Sequence, residues 1–167
     1  MTATTELGQV LRDADGVRLQ FRRSYPDTPI TEVWSACTDP DRLARWFGRW
    51  TGDPSTGAVQ IVITTEGGTL PEPVRIDECS PPTSLAVTLT SPDGPWPLLV
   101  SLSENQGTTS LEFVHHLVEP YDADNLGPGW HYYLDRLTAM LAGTALPEDF
   151  DDYHPAPVGS YLIPDAT

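Results

Sequence analysis

Trp130-His131-Tyr132-Tyr133-Leu134-Asp135-Arg136-Leu137, continued to Leu141, is the stretch on which the reading of this chain turns. Trp130, Tyr133, Leu134, Leu137 and Leu141 recur at i, i+3, i+4, i+7 and i+11, the repeat of a helix with one apolar stripe. The helix spans about 122 to 141. Gly127-Pro128-Gly129 is poor helix-interior chemistry, so regular helix begins either near Asp122 or only after Pro128, behind a looser turn. A stripe that long must cover an apolar surface of similar extent.

The preceding sixty residues supply that surface. From Gly57 to Leu117 the pattern is β, with strands expected near 57 to 64, 69 to 79, 84 to 90, 96 to 104 and 108 to 118. Glu66-Gly67-Gly68, Ser80-Pro81-Pro82, Pro92-Asp93-Gly94-Pro95 and Asn105-Gln106-Gly107 separate them as turns, which makes successive strands antiparallel neighbours. Alternation puts Ile61 and Ile63, Val74 and Ile76, Leu85, Val87 and Leu89 on one face. Trp96, Leu98, Val100 and Leu102, then Leu111, Phe113 and His115, join the same face. The long helix is its cover.

Upstream, two strands flank Asp13-Ala14-Asp15-Gly16, where Asp-Gly suits a tight hairpin, and Val17, Leu19 and Phe21 alternate with Arg18, Gln20 and Arg22. Asp27-Thr28-Pro29 then opens a short helix carrying Ile30, Val33, Trp34 and Cys37 at helical spacing. Thr38-Asp39-Pro40 caps a second one through Leu43, Trp46 and Phe47, which Gly48 ends. After Gly143 the chain turns acidic and proline-rich. Residues 1–145 thus read as one domain and 146–167 as a tail, with Phe150, Tyr153, Tyr161, Leu162 and Ile163 as docking groups.

The 167 residues, 39% of them apolar, suffice for one domain with a core. Nine Lys and Arg against 24 Asp and Glu give a formal charge of -15, which repels phosphate backbones and anionic lipid surfaces. No nucleic-acid or membrane partner is expected. Arg18, Arg22, Arg23, Arg42, Arg45 and Arg49 crowd the first fifty positions, leaving a local basic patch open there. No run approaches the roughly eighteen apolar residues of a membrane span, and residues 1 to 16 lack a signal peptide's basic start and apolar middle. These features read as cytoplasmic.

Cys37 and Cys79 lack the paired spacing of zinc or redox sites and read as buried, reduced thiols. His115 shares strand parity with Leu111 and Phe113, so its imidazole faces inward, as a hydrogen-bonding core residue or as an acid or base. His131 and Asp135, at i and i+4, suit a helix-surface hydrogen bond; with no third ligand in view they make no metal site. Asp151, Asp152 and His154 read as a solvated charge run. No nucleophile motif, metal site or cofactor signature is present, so no catalytic residue is assigned.

Taken together, Val33-Trp34, Thr38-Asp39-Pro40, Leu43, Trp46-Phe47, Gly57, Asn105-Gln106-Gly107-Thr108-Thr109, Gly129-Trp130, Tyr133-Leu134 and Leu137 carry a resemblance that covers about Glu6 to Gly143. The chain resembles the homologues of the activator of heat-shock-protein-90 ATPase, within the START-like (SRPBCC) helix-grip superfamily. That resemblance implies an α+β helix-grip fold, a curved antiparallel sheet of about six to seven strands around a long C-terminal helix. Two short helices after the first strands would close one end of an internal hydrophobic cavity. It brings no catalytic motif. The superfamily includes lipid carriers, hormone receptors, aromatase/cyclase domains and oxygenase domains, and the 167 residues leave no room for the extra N-terminal domain through which the eponymous co-chaperone engages its partner.

A cleft between sheet and helix, lined by aromatic and aliphatic groups, is the expected small-molecule site. Trp34, Trp46, Phe47, Trp96, Phe113, His115, Trp130 and Tyr133 are its candidate ligand-binding residues; the alternative is that they simply fill the core. The leading expectation is a protein that binds a small hydrophobic or aromatic molecule. Two others stand beside it: a cyclase- or hydrolase-type enzyme using His115, and a co-chaperone-like or regulatory module that meets a protein partner, or a second copy as a homodimer.

Overall fold

Alternating strands close into one curved antiparallel sheet. The computed structural model describes residues 6–64, 67–92 and 94–166. Glu66 of the expected Glu66-Gly67-Gly68 turn, Asp93 of Pro92-Asp93-Gly94-Pro95, and residues 1–5 of the opening stretch lie outside the described residues. The strands are β1 (Gln9–Asp13), β2 (Gly16–Tyr25), β3 (Arg49–Thr51), β4 (Ala58–Val62), β5 (Glu72–Ser80), β6 (Ser84–Ser91), β7 (Gly94–Asn105) and β8 (Thr108–Leu117). The helices are α1 (Ile30–Thr38), α2 (Pro40–Trp46) and α3 (Ala123–Ala142). Sheet order is β1-β2-β8-β7-β6-β5-β4-β3. Among the described residues the sheet thus has eight strands where six to seven were expected. The extra one, β3, is three residues long, too short to show alternation, and pairs Trp50 with Ile61.

The two short helices follow the first strands and sit between β2 and β3. Asp39 caps α2 by accepting from the backbone N–H groups of Asp41 at 2.9 Å and Arg42 at 3.1 Å, with Pro40 in the first turn. At α1 no local side chain caps the helix. The Glu104 carboxylate of β7 accepts from Ile30 N–H at 2.8 Å, so a neighbouring strand supplies the cap. Gly48 ends α2 where a Cβ would lie 2.6 Å from the Val62 carbonyl oxygen, which lets the chain turn tightly against β4.

Helix α3 begins at Ala123, so Pro128 stands inside it and the reading that regular helix starts after Pro128 is corrected. Pro128 removes one bond, to the carbonyl of exposed Asp124 one turn earlier, which water can reach. The pyrrolidine ring itself is buried. Leu134 and Leu137 are 2% and 0% exposed on the sheet-facing stripe, and each contributes roughly 1.5–3 kcal/mol by leaving water. Gly143 ends the helix in a left-handed conformation, donating to Ala139 and Met140.

The segment after Gly143 lies along α3. Tyr161 is 3% exposed and packs on Gly127, while Phe150 and Tyr153 meet Tyr132 at ring-centroid distances of 5.7 and 5.3 Å. The Pro164 carbonyl accepts from Arg12 at 2.7 Å. Most of the early arginines face carboxylates: Arg18 pairs with Asp13, Arg22 with Glu112, Arg42 with Glu32 and Arg49 with Asp41. These pairings offset much of the positive charge that the sequence concentrates there.

Candidate functional site

Sheet, α1, α2 and α3 enclose a cavity of about 500 Å³. Leu85, Val87 and Leu89 of β6, Leu98 and Val100 of β7, and Leu111 and Phe113 of β8 form its floor, in the parity that strand alternation predicts. Leu134 and Leu137 of α3 form its roof. Trp34, Leu43, Trp46 and Phe47 close one end. Among the described residues no charged side chain lines it, and solvent reaches it beside the exposed residues Pro54, Ser55, Cys79 and Pro81.

The tryptophans make this cavity more apolar than their composition suggests. Trp46 Nε1–H donates to the Ala36 carbonyl at 2.9 Å and Trp50 Nε1–H to the Thr38 carbonyl at 2.8 Å. Trp130 Nε1–H donates to His115 Nδ1 at 3.0 Å. These three indole N–H groups are therefore satisfied by the protein, and their rings offer carbon to the cavity.

A second cavity, of about 360 Å³, lies on the other side of Phe47 and Trp130, which line both. These rings stack at 5.5 Å with an interplanar angle of 29°, so one aromatic pair is the partition. Trp96, Tyr132, Tyr133 and Phe150 join it, with Asn125 and Glu148 as polar neighbours.

Of the residues singled out from sequence, Trp34, Trp46, Phe47, Phe113 and Trp130 line the larger cavity, and Trp96 and Tyr133 the smaller. His115 lines neither. It is 2% exposed, sits behind Trp130, and burial pushes its pKa down to about 4. Nδ1 accepts from Trp130, which places the proton of the neutral ring on Nε2. Trp50, Cys79 and Glu148 were missed; the Trp46-Phe47-Gly48-Arg49-Trp50 run could have pointed to Trp50, but nothing local marked the other two.

Cys37 is buried, and burial pushes its thiol up to about 12. The expectation that Cys79 is buried is corrected: it is exposed and lines the cavity. A bulge at Asp77 is the cause. Ile76 pairs with Val87 and Glu78 with Ala86, so the extra residue reverses parity and places Cys79, opposite Leu85, on the cavity face. On the outer face Asp77 accepts from Arg75 at 2.5 Å and Thr88 at 2.6 Å, which holds the bulge and keeps its carboxyl below the usual range.

Strand parity also carries Arg23 under α3, where its side chain is 5% exposed and lies 3.7 Å from Asp135. Asp135 accepts from the Tyr153 hydroxyl at 2.7 Å and lies 3.5 Å from His131 Nε2. The i, i+4 pair is thus part of the junction between β2, α3 and the C-terminal segment. Among the described residues no group of three or more His, Cys, Asp or Glu could hold a metal ion.

A curved antiparallel sheet holding a long C-terminal helix, with two short helices closing an internal cavity, defines a helix-grip protein of START-like architecture. The chain belongs to the activator of Hsp90 ATPase homolog 1-like family, whose profile matches residues 27–142. It is similar to CalU16 from Micromonospora echinospora, with 30% identity, a TM-score of 0.69, and coverage of 87% of this chain and 89% of that one. A Bordetella parapertussis protein shares 27% identity at a TM-score of 0.66, over 91% and 89% of the two chains. DynU16, a protein of the dynemicin biosynthetic locus, shares the fold at 20% identity and a TM-score of 0.57, over 76% of this chain and 48% of that one. No curated protein matches the sequence.

Proposed function

We propose that this protein binds a small, uncharged hydrophobic or aromatic molecule in the larger cavity. The observation that carries the reading is a space of about 500 Å³ whose lining, among the described residues, includes no charged side chain and whose indole N–H donors at Trp46, Trp50 and Trp130 are already satisfied. Such a wall rewards carbon and penalises charge. Removing about 200 Å² of apolar ligand surface from water contributes roughly 5 kcal/mol, before association costs of several kcal/mol are met. The DynU16 setting, a biosynthetic locus, is in keeping with a small-molecule ligand.

Acid–base chemistry by His115 finds less support, because the ring is neutral, bonded to Trp130 and outside the cavity lining. The interaction-module reading loses part of its basis too, since Tyr153 and Tyr161 of the C-terminal segment pack on the protein's own helix. A direct test is titration with the neutral fluorophore N-phenyl-1-naphthylamine. Saturable, blue-shifted emission is expected, and Val100→Trp, which fills the cavity, should abolish it with the circular dichroism unchanged. Failure of the native protein to take up the dye or neutral aromatic competitors overturns the reading.

A further inference from the structure

The smaller cavity differs in chemistry from the larger one. Six rings line it, contributed by four parts of the chain: Phe47 after α2, Trp96 from β7, Trp130, Tyr132 and Tyr133 from α3, and Phe150 from the C-terminal segment. Trp96 meets Trp130 at 6.3 Å, and Phe47 meets Tyr133 edge-on at 5.0 Å. Aromatic faces are electron-rich and attract cations, most strongly where several rings surround one space. Glu148 brings a carboxylate to the same lining, whereas the Asn125 amide is already bonded to Asp122 and His154. The whole chain carries a formal charge of -15, which favours entry of positive ligands.

A cation already uses one of these rings. The Arg136 guanidinium carbon lies 5.5 Å from the Tyr132 ring centroid, while its nitrogens donate to the carbonyls of Arg45, Trp46 and Pro147. Arg136 itself does not line the cavity. A bare metal ion is poorly served here, since Glu148 is the one carboxylate among the described lining residues and a hard cation requires six or so oxygens. An alkylated ammonium is weakly hydrated and meets rings with its methyl groups.

We infer that the smaller cavity is a binding site for a small organic cation, a quaternary or alkylated ammonium, held by the six rings with Glu148 as counter-charge. The inference is independent of the ligand proposed for the larger cavity. At about 360 Å³ the space accommodates a trimethylammonium group with a short substituent.

Isothermal titration calorimetry of the full chain with choline and benzyltrimethylammonium tests it, alongside 3,3-dimethylbutan-1-ol, the neutral carbon isostere of choline. Saturable binding of the cations is expected, about tenfold or more tighter than the neutral isostere and weakened by added salt. Glu148 is exposed, so Glu148→Gln preserves the fold and should weaken cation binding about fivefold. That substitution leaves dye uptake by the larger cavity unchanged, which separates the two sites. Trp96→Leu should abolish cation binding. Equal affinity for the isostere, an unaffected Glu148→Gln variant, or no saturable binding of either cation overturns the inference.

Discussion

Trp130 of α3 donates its indole proton to Nδ1 of His115 on β8 across 3.0 Å, joining helix to sheet in the interior. The bond requires a neutral imidazole, and burial holds the ring so, with a pKa near 4. In the unfolded chain the same ring titrates at about 6.5. The unfolded state therefore binds more protons below that pH, and stability falls by roughly 1.4 kcal/mol per pH unit between about 6.5 and 4. The contribution is fully present above pH 6.5.

Urea unfolding at pH 7 and pH 5 checks this. His115→Gln, whose amide oxygen can accept the same indole proton, is expected to lose about 2 kcal/mol less than the native protein over that interval. Burial also lowers the pKa of His131, which adds a slope common to both proteins. Equal pH dependence in the two would refute the assignment.

Gly127 and Tyr161 make a second testable pair. A Cβ at 127 would lie 2.6 Å from the Tyr161 ring, so Gly127→Ala displaces the C-terminal segment despite a helix-propensity gain of about 1 kcal/mol. Limited proteolysis should cut the variant after Gly143 faster than the native chain. In a Tyr161→Ala background the clash is gone, and Gly127→Ala is expected to stabilise.

The two cysteines should differ sharply. Cys79 is exposed on the cavity face, whereas Cys37 is buried with its thiol pushed up to about 12. A disulfide reagent at pH 8 is expected to titrate one thiol quickly and the second only on unfolding. Prior filling of the larger cavity with the neutral dye should slow the fast phase; an unchanged rate places the dye elsewhere.

Arg23 and Asp135 form a buried pair at 3.7 Å. Asp135→Ala leaves the guanidinium uncompensated beneath α3 and removes the acceptor of Tyr153, at an expected cost of about 3–5 kcal/mol. Replacing both, Arg23→Met with Asp135→Leu, should cost much less. Additive losses in a double-mutant cycle would show that the pair is not coupled.

Period alone made much of this architecture readable. Leu85, Val87 and Leu89 face the cavity as alternation requires, and Asp39-Pro40 starts a helix because its chemistry is local. What escaped depends on partners distant in sequence. Pro128 sits within α3 because packing offsets one lost hydrogen bond, and Arg49–Thr51 becomes a strand only by pairing with β4. Cys79 turns inward through a bulge that Arg75 and Thr88 clamp from outside. The smaller cavity needs Glu148 and Phe150 from a segment that reads as a tail and whose place is set by Gly127 and Tyr161.

The sheet order carries a consequence for biosynthesis. β2 pairs along its length with β8, so Val17 must wait for Leu117, while Leu19 and Phe21 emerge early without their cover. At a synthesis rate of about 5–20 residues per second the delay is on the order of ten seconds. Arg18 and Arg22 stand on the face opposite that apolar row, and the N-terminal hairpin pairs Gly16 to Gln20 of β2 with β1 at once. The nascent chain thus leaves the ribosome with the first half of one β2 edge already paired and with arginines on the face opposite its apolar row, a safeguard against premature association between growing chains.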